Sequence, residues 1–249
     1  MLKLFYKLVW TVRHGPLGGG IAGLWHKFAP HVHIWKKIYG VYVCLDLRDS
    51  LIWAVDPGDF KELEGFDKML EGVKGNVWDV GCSVGIFSLY AASQGNKVVS
   101  FDISPKAIQL LEKSAQRNRF EITPICRAFG VESFEYTAPQ DADPRNRPGA
   151  VVGQATTSSI TFGEAEEKFG KPDFIKMDIE HAETDFLKSE KFREWIKANR
   201  IPFLLEIHDK AYWDLVWPEV PHCTFDSSHV FFYPSPEIVA TAKSRMEKV

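Results

Sequence analysis

Residues 77–89 read VWDVGCSVGIFSL, and the fold of the chain turns on them. Residues 76–81 suit a short buried strand, interrupted only by Asp79. Residues 84–95 suit a helix that stops at Gly95. Gly81 and Gly85 fall in the turn between the two. A glycine-rich turn that opens a helix leaves the N–H groups of the first turn free, and these favour an anionic or polar ligand.

Downstream, the same alternation repeats. KVVSFD (97–102) reads as a second strand and SPKAIQLLEKSAQRN (104–118) as a helix. Ser104 suits its N-cap and Pro105 its first position. ITPICRA (122–128) is a third strand, interrupted by Pro124, and PDFIKMD (172–178) is a fourth. A helix is predicted over 183–198, then a strand over IPFLLEIH (201–208) and a terminal strand over SSHVFFYP (227–234). Strands alternating with helices at this spacing predict an α/β, doubly wound, Rossmann-like fold with a mostly parallel sheet. Residues 138–159 hold three prolines, two glycines and small polar residues, and read as a long loop of the kind that often forms a lid.

Upstream, VYVCLDL (41–47) reads as a strand that LIWAVD (51–56) continues as a hairpin. VDPGDF (55–60) is a turn in which Asp59 caps a helix through 60–73. Two units are expected: a basic N-terminal extension over 1–75 and a ligand-binding domain over 76–249.

At 249 residues and 45% hydrophobic composition, the chain builds its core without disulfides. Cys44, Cys82, Cys126 and Cys223 are scattered with no C-x-x-C pair, so reduced thiols in a cytoplasmic protein are expected. A net charge of −3 offers no general case for nucleic acid, and none is expected as a partner. Residues 1–40 nevertheless hold six Lys/Arg and no Asp or Glu. Their opening, MLKLFYKLVWTVR, is too broken by charge to span a bilayer and lacks the pattern of a secretory signal. Two readings stay open for residues 1–15: an amphipathic helix touching an anionic membrane surface, or a helix packed on its own domain. Oligomeric state is not legible.

Three ligands compete for the glycine loop. A triphosphate loop requires G-x-x-x-x-G-K-[ST], and no lysine follows Gly85. A dinucleotide site requires G-x-G-x-x-G, whose glycines admit a pyrophosphate. S-adenosylmethionine has no phosphate and needs fewer glycines. Its ammonium suits Asp79 and its carboxylate suits a helix N-terminus. Asp102, at the end of the second strand, can accept from both ribose hydroxyls. The expected donor site is therefore Asp79, Gly81, Cys82, Ser83 and Gly85, with Asp102 and Ile103 behind. Arg127, Ala128 and Phe129 are expected near the adenine.

The chain resembles the FkbM-type S-adenosylmethionine-dependent methyltransferases in three segments. These are VWDVGCSVGIFSL with FDISP (101–105), DFIKMDIEHAETDFL (173–187) and FLLEIH (203–208). The second is similar to the family's K-I-D-V-E-G-A-E signature, with His181 in place of its glycine. Ser83 stands where an asparagine is frequent, and ITFGE (160–164) replaces an acidic pair. The resemblance covers about residues 76–208. It implies a class I methyltransferase fold with an antiparallel terminal strand, and methylation of a hydroxyl oxygen on a sugar, glycan or related small molecule. Under this reading Asp178 lies near the methionine end, with His208 or Glu180 as the acceptor-side base. If Asp178, Glu180, Glu206 and His208 converge, a divalent cation is a further option. A methyltransferase-like binding module without turnover, and a nicotinamide enzyme, are the alternatives.

Overall fold

The computed structural model describes residues 31–46, 66–138, 155–179 and 182–246. The expected leader helix (1–15), the 51–56 strand, the cap Asp59 and the site candidates Glu180 and His181 lie outside them.

A hairpin opens the described chain: β1 (His33–Ile38) pairs antiparallel with β2 (Val41–Asp46). The partner of the 41–46 strand is thus the segment before it. Tyr39 and Gly40 both have positive φ (47° and 83°), the signature of a tight two-residue hairpin turn. Next come α1 (Phe66–Met69), β3 (Asn76–Val80), α2 (Ile86–Ser93), β4 (Lys97–Asp102), α3 (Pro105–Asn118) and β5 (Ile122–Cys126). Two short pairs follow: β6 (Phe129–Gly130) with β9 (Ile160–Thr161), and β7 (Glu135–Ala138) with β8 (Ala155–Ser158). The stretch 138–159 therefore begins and ends in strand, because the Thr-rich residues 155–158 pair with 135–138. The chain then runs through α4 (Phe162–Phe169), β10 (Phe174–Met177), α5 (Glu183–Lys188), α6 (Glu190–Asn199), β11 (Phe203–Glu206), β12 (His222–Thr224), β13 (His229–Phe232) and α7 (Pro236–Met246).

The helix expected over 183–198 is two helices. Ser189 adopts an extended conformation and its side chain accepts from the Phe192 N–H, ending α5 and capping α6. The third strand stops at Cys126, two residues short of expectation, where the chain turns to begin β6.

Seven strands form the central sheet in the order β12-β13-β11-β10-β3-β4-β5. β11-β10-β3-β4-β5 are mutually parallel, and β13 is antiparallel to both neighbours. The chain winds outward from β3 in one direction, then returns to β10 and winds outward in the other. The crevice beyond the C-terminal ends of β3 and β10 is therefore the switch point where doubly wound sheets bind ligands.

Central strands are buried on both faces: Val77, Trp78, Val80, Phe174, Ile175, Met177, Phe203 and Leu205 are inaccessible to solvent. Trp78, Phe101, Phe129, Phe186 and Phe192 belong to a single aromatic-rich core on one face. On the other face, Ile38, Val41, Val43 and Leu45 of the hairpin join Leu89, Ile108 and Leu111 in a second cluster. Asn118 fastens the hairpin to α3. Its Oδ1 accepts from the Tyr42 N–H at 2.9 Å and its Nδ2 donates to the Tyr42 carbonyl at 2.6 Å, as a neighbouring strand would. No described helix is long and apolar enough to cross a membrane.

Candidate active site

The site grows from the ends of β3, β10, β11 and β13. In register, Asp79 of β3 lies beside Lys176 of β10, and Glu206 of β11 lies beside His229 of β13. Side chains opposite one another on neighbouring strands share a face, so two carboxylate–cation pairs are built into the sheet itself.

Gly81 and Gly85 both adopt left-handed φ (77° and 81°). At Gly81 a Cβ would lie 2.7 Å from the carbonyl carbon of Asp178 and closer still to its oxygen. At Gly85 it would drive into Leu111. Both glycines are thus demanded by the protein's own packing. The loop is held by Gly81 and Cys82 N–H groups, which both donate to the Phe101 carbonyl at 2.9 and 3.0 Å. Ser83 is left-handed too (φ 51°), and its N–H donates to Asp102 Oδ2 at 2.8 Å.

Asp102 anchors the second strand end: its other oxygen accepts from the Ser104 N–H at 2.8 Å. Burial pushes its carboxyl up to about 6, against those two N–H donors. Each oxygen keeps a further lone pair for a ribose hydroxyl. Ile103, immediately beyond, is 36% exposed and offers an apolar face at the cleft.

Asp79 is fully buried. The Ser88 hydroxyl donates to its Oδ2 at 2.5 Å, and Oδ1 faces Lys176 Nζ at 3.9 Å without a hydrogen bond. Burial raises its carboxyl, opposed by Lys176 and Ser88. The acid expected to take the donor's ammonium therefore lies under the rim.

Three residues expected near the adenine are otherwise occupied. The Arg127 guanidinium donates to the Ser158 carbonyl and hydroxyl, each at 2.8 Å, and to the Ser159 carbonyl. Ala128 N–H donates to the Tyr136 hydroxyl, and Phe129 packs against Trp78, Phe101 and Phe186. The side chains of Arg127 and Phe129 brace β8, β9 and the core. Cys82 is buried, with its thiol pushed well above the usual range by burial.

Where an acceptor is expected from the sequence, Asp178, Glu206 and His208 converge. His208 Nε2 stands 3.5 Å from Asp178 Oδ1 and 3.8 Å from Glu206 Oε1. Sequence reasoning missed three of their supports. Lys176 Nζ donates to Asp178 Oδ2 at 3.0 Å. Burial opposes its charge, but Asp178, Asp79 and Glu206 outweigh that and raise its pKa. Burial likewise opposes the charge of Asp178, which Lys176, then His208 and His229, hold below the usual carboxylate range. Glu183, fully buried, accepts from His208 Nδ1 at 2.8 Å and from the Ile179 N–H at 3.3 Å. That bond is the main reason His208 is raised to about 9. Glu183, the first residue of α5, is therefore the residue that holds His208. Finally, His229 Nδ1 donates to Asp226 Oδ1 at 2.8 Å while its Nε2 lies 3.5 Å from Glu206 Oε2. Alternation within β13 could have flagged His229, a polar residue in an otherwise apolar strand.

Comparison with known proteins agrees with this architecture. Residues 78–137 match the family model described as a methyltransferase domain. Two curated relatives are tRNA (uracil(54)-C(5))-methyltransferases. That of Pyrococcus furiosus is 30% identical over 95 residues, and that of Pyrococcus horikoshii 29% over 93; each match covers 34% of this chain. The matched segment takes in 23% of each relative, so the chain aligns with about a quarter of their length. Among solved structures, the Pyrococcus abyssi tRNA (uracil-54, C5)-methyltransferase in complex with S-adenosyl-L-homocysteine superposes with a TM-score of 0.48 at 14% identity. That alignment covers 80% of this chain and 43% of the other. The sheet order and the family match together show a Rossmann-like methyltransferase fold, as expected from the sequence. The expectation that nucleic acid is not a partner is overturned, because both curated relatives are tRNA methyltransferases. Net charge misled here, since a whole-chain sum of −3 is silent about local basic surfaces.

Proposed function

We propose that the protein is an S-adenosylmethionine-dependent methyltransferase that methylates a hydroxyl oxygen. The donor would lie over the Gly81–Gly85 turn, with its ribose on Asp102 and its adenine against Ile103. The residues fit that cofactor on two counts. Asp79 keeps a buried carboxylate oxygen without a hydrogen bond beneath the expected ammonium. Ile103 is an exposed apolar side chain directly after the ribose acid. S-adenosylmethionine supplies an electrophilic methyl on a sulfonium; the chain aligns donor and acceptor and shields them from water.

The observation that carries the reading is the convergence of Asp178, Glu206 and His208 at the switch-point crevice. An acceptor hydroxyl there gives up its proton to the Asp178 or Glu206 carboxylate and from it to solvent, because His208, raised to about 9, already carries a proton near neutral pH. One oxygen lone pair forms the O–C bond, and the C–S pair stays on sulfur as the neutral thioether.

A sugar, glycan or related small molecule is the first acceptor class; an RNA hydroxyl is the second. The tRNA relatives favour the second, as does one surface of the hairpin. There Arg117 lies over the rings of both Trp35 (4.4 Å) and Tyr42 (4.5 Å), beside Lys37, and both aromatics are 40% exposed. Aromatic faces interleaved with cations suit single-stranded nucleic acid. The test is transfer of labelled methyl from S-adenosylmethionine to panels of free sugars, glycans and bulk tRNA. Label in any hydroxyl, lost in Asp178→Asn, supports the reading. Donor binding without transfer to any panel favours a binding module without turnover.

A further inference from the structure

Five carboxylates crowd the crevice: Asp79, Asp178, Glu183, Glu206 and Asp226. They are linked through Lys176, His208 and His229 in one network. Even with both imidazoles protonated, negative charge is in excess among the described residues. Asp79 and Glu183 are fully buried, where charge without compensation is costly, while Asp178, Glu206 and Asp226 line the open side of the crevice. Glu183 sharpens the imbalance: it is fully buried, and its Oε2 has no hydrogen-bond partner.

The geometry at the acceptor side is specific. One ligand atom each from Asp178, Glu206 and His208 lies within 4.8 Å of the others. The separations of His208 Nε2 from Asp178 Oδ1 and Glu206 Oε1, 3.5 and 3.8 Å, exceed normal hydrogen-bond lengths. Atoms bound to a common divalent ion at about 2.1 Å stand roughly 3 to 4 Å apart. The remaining atoms of the three side chains are held from behind. Lys176 takes Asp178 Oδ2, Glu183 takes His208 Nδ1, and His229, itself held by Asp226, lies against Glu206 Oε2. A carboxylate gripping the far nitrogen of a histidine fixes the tautomer that presents Nε2 as a metal ligand.

We propose that Asp178 Oδ1, Glu206 Oε1 and His208 Nε2 hold a divalent cation of the Mg2+ or Mn2+ class that receives the acceptor's oxygen beside the methyl donor. The cation's role rests on the methyl-transfer reading; the cation site itself does not. Two carboxylates and one imidazole suit Mn2+ better than a thiolate-seeking metal, and three protein ligands leave positions open for an acceptor. Glu183 and His229 are then positioning residues.

The experiment is a titration of Mn2+ into chelator-treated full-length protein, following free Mn2+ by electron paramagnetic resonance. S-adenosylhomocysteine binding is measured by calorimetry on the same samples. One Mn2+ per chain is expected. Affinity should fall by at least about 100-fold in Glu206→Gln and in His208→Gln, and by about 10- to 100-fold in Glu183→Gln, with S-adenosylhomocysteine affinity retained. Uptake of no Mn2+ by the wild-type chain, or equal uptake by wild type and both ligand variants, overturns the site. If S-adenosylhomocysteine binds and Mn2+ does not, the cation fails and the methyltransferase reading stands. If Mn2+ binds with the expected losses and S-adenosylhomocysteine does not, the site stands and the methyltransferase reading fails.

Discussion

The α-carbon of Gly81 faces the backbone carbonyl of Asp178 so closely that a Cβ would stand 2.7 Å from the carbonyl carbon. The Gly81–Gly85 turn and the chain just beyond β10 are thus in direct contact. Gly81→Ala combines that clash with an L-residue at φ 77°. A loss of about 3 kcal/mol is expected, or a melting temperature lower by roughly 6–12 °C for a chain of this size. S-adenosylhomocysteine should no longer raise the melting temperature of the variant, which differential scanning calorimetry would show.

Glu183 tests whether His208 is held for chemistry. Glu183→Gln keeps the size and loses the charge that His208 Nδ1 meets at 2.8 Å. The turnover number should fall by about 10- to 100-fold while the KM for S-adenosylmethionine stays unchanged. A purely structural role would lower both stability and donor affinity, so steady-state kinetics separates the two.

The sheet and its helices were legible because each local signal agreed with the global pattern. Ser104 and Pro105 open α3 as expected, and β4 ends at Asp102 as expected. Failures came where tertiary context decided. Arg127 reads like a ligand residue after a strand, yet Ser158 of β8 and the adjoining Ser159 supply the acceptors that hold its side chain, and their position is not a local property. His229 and Glu183 became site residues only once β13 ran antiparallel beside β11 and α5 brought its first residue under His208. Neither contact has a sequence spacing that announces it.

The Asp226–His229 pair predicts a pH dependence of stability. Burial opposes charge on His229, but Asp226 and Glu206 outweigh it and raise its pKa from 6.5 to about 9. Asp226 moves the opposite way, from 3.8 to about 2, where His229 outweighs burial. A raised histidine stabilises the fold fully below pH 6.5, and that contribution is lost as pH climbs through 9. A depressed aspartate stabilises it above pH 3.8, and that contribution is lost as pH falls through 2. Stability from the pair is therefore greatest between those limits. Thermal melts in chelator should show stability falling between pH 6.5 and 9, with roughly 2–3 kcal/mol of the loss from His229; His208, also raised to about 9, titrates over the same window, so His229→Gln should make that limb shallower without flattening it.

Ser83 carries backbone strain that can be relieved. Its φ of 51° is a region asparagine enters more readily than serine. Its N–H bond to Asp102 does not depend on the side chain. Ser83→Asn should stabilise the protein by about 0.5–1 kcal/mol, read as a rise in the denaturation midpoint with unchanged slope. Donor affinity should be equal or better.

The central claim is that the crevice beyond β3 and β4 is a methyl-donor site. Isothermal titration of the full chain with S-adenosylmethionine, and separately with NAD+, tests it most directly. The account predicts one S-adenosylmethionine per chain, an affinity at least about tenfold weaker in Asp102→Ala, where a ribose hydrogen bond worth about 1.5 kcal/mol is lost, and no heat from NAD+. Binding of NAD+ with no binding of S-adenosylmethionine would contradict it.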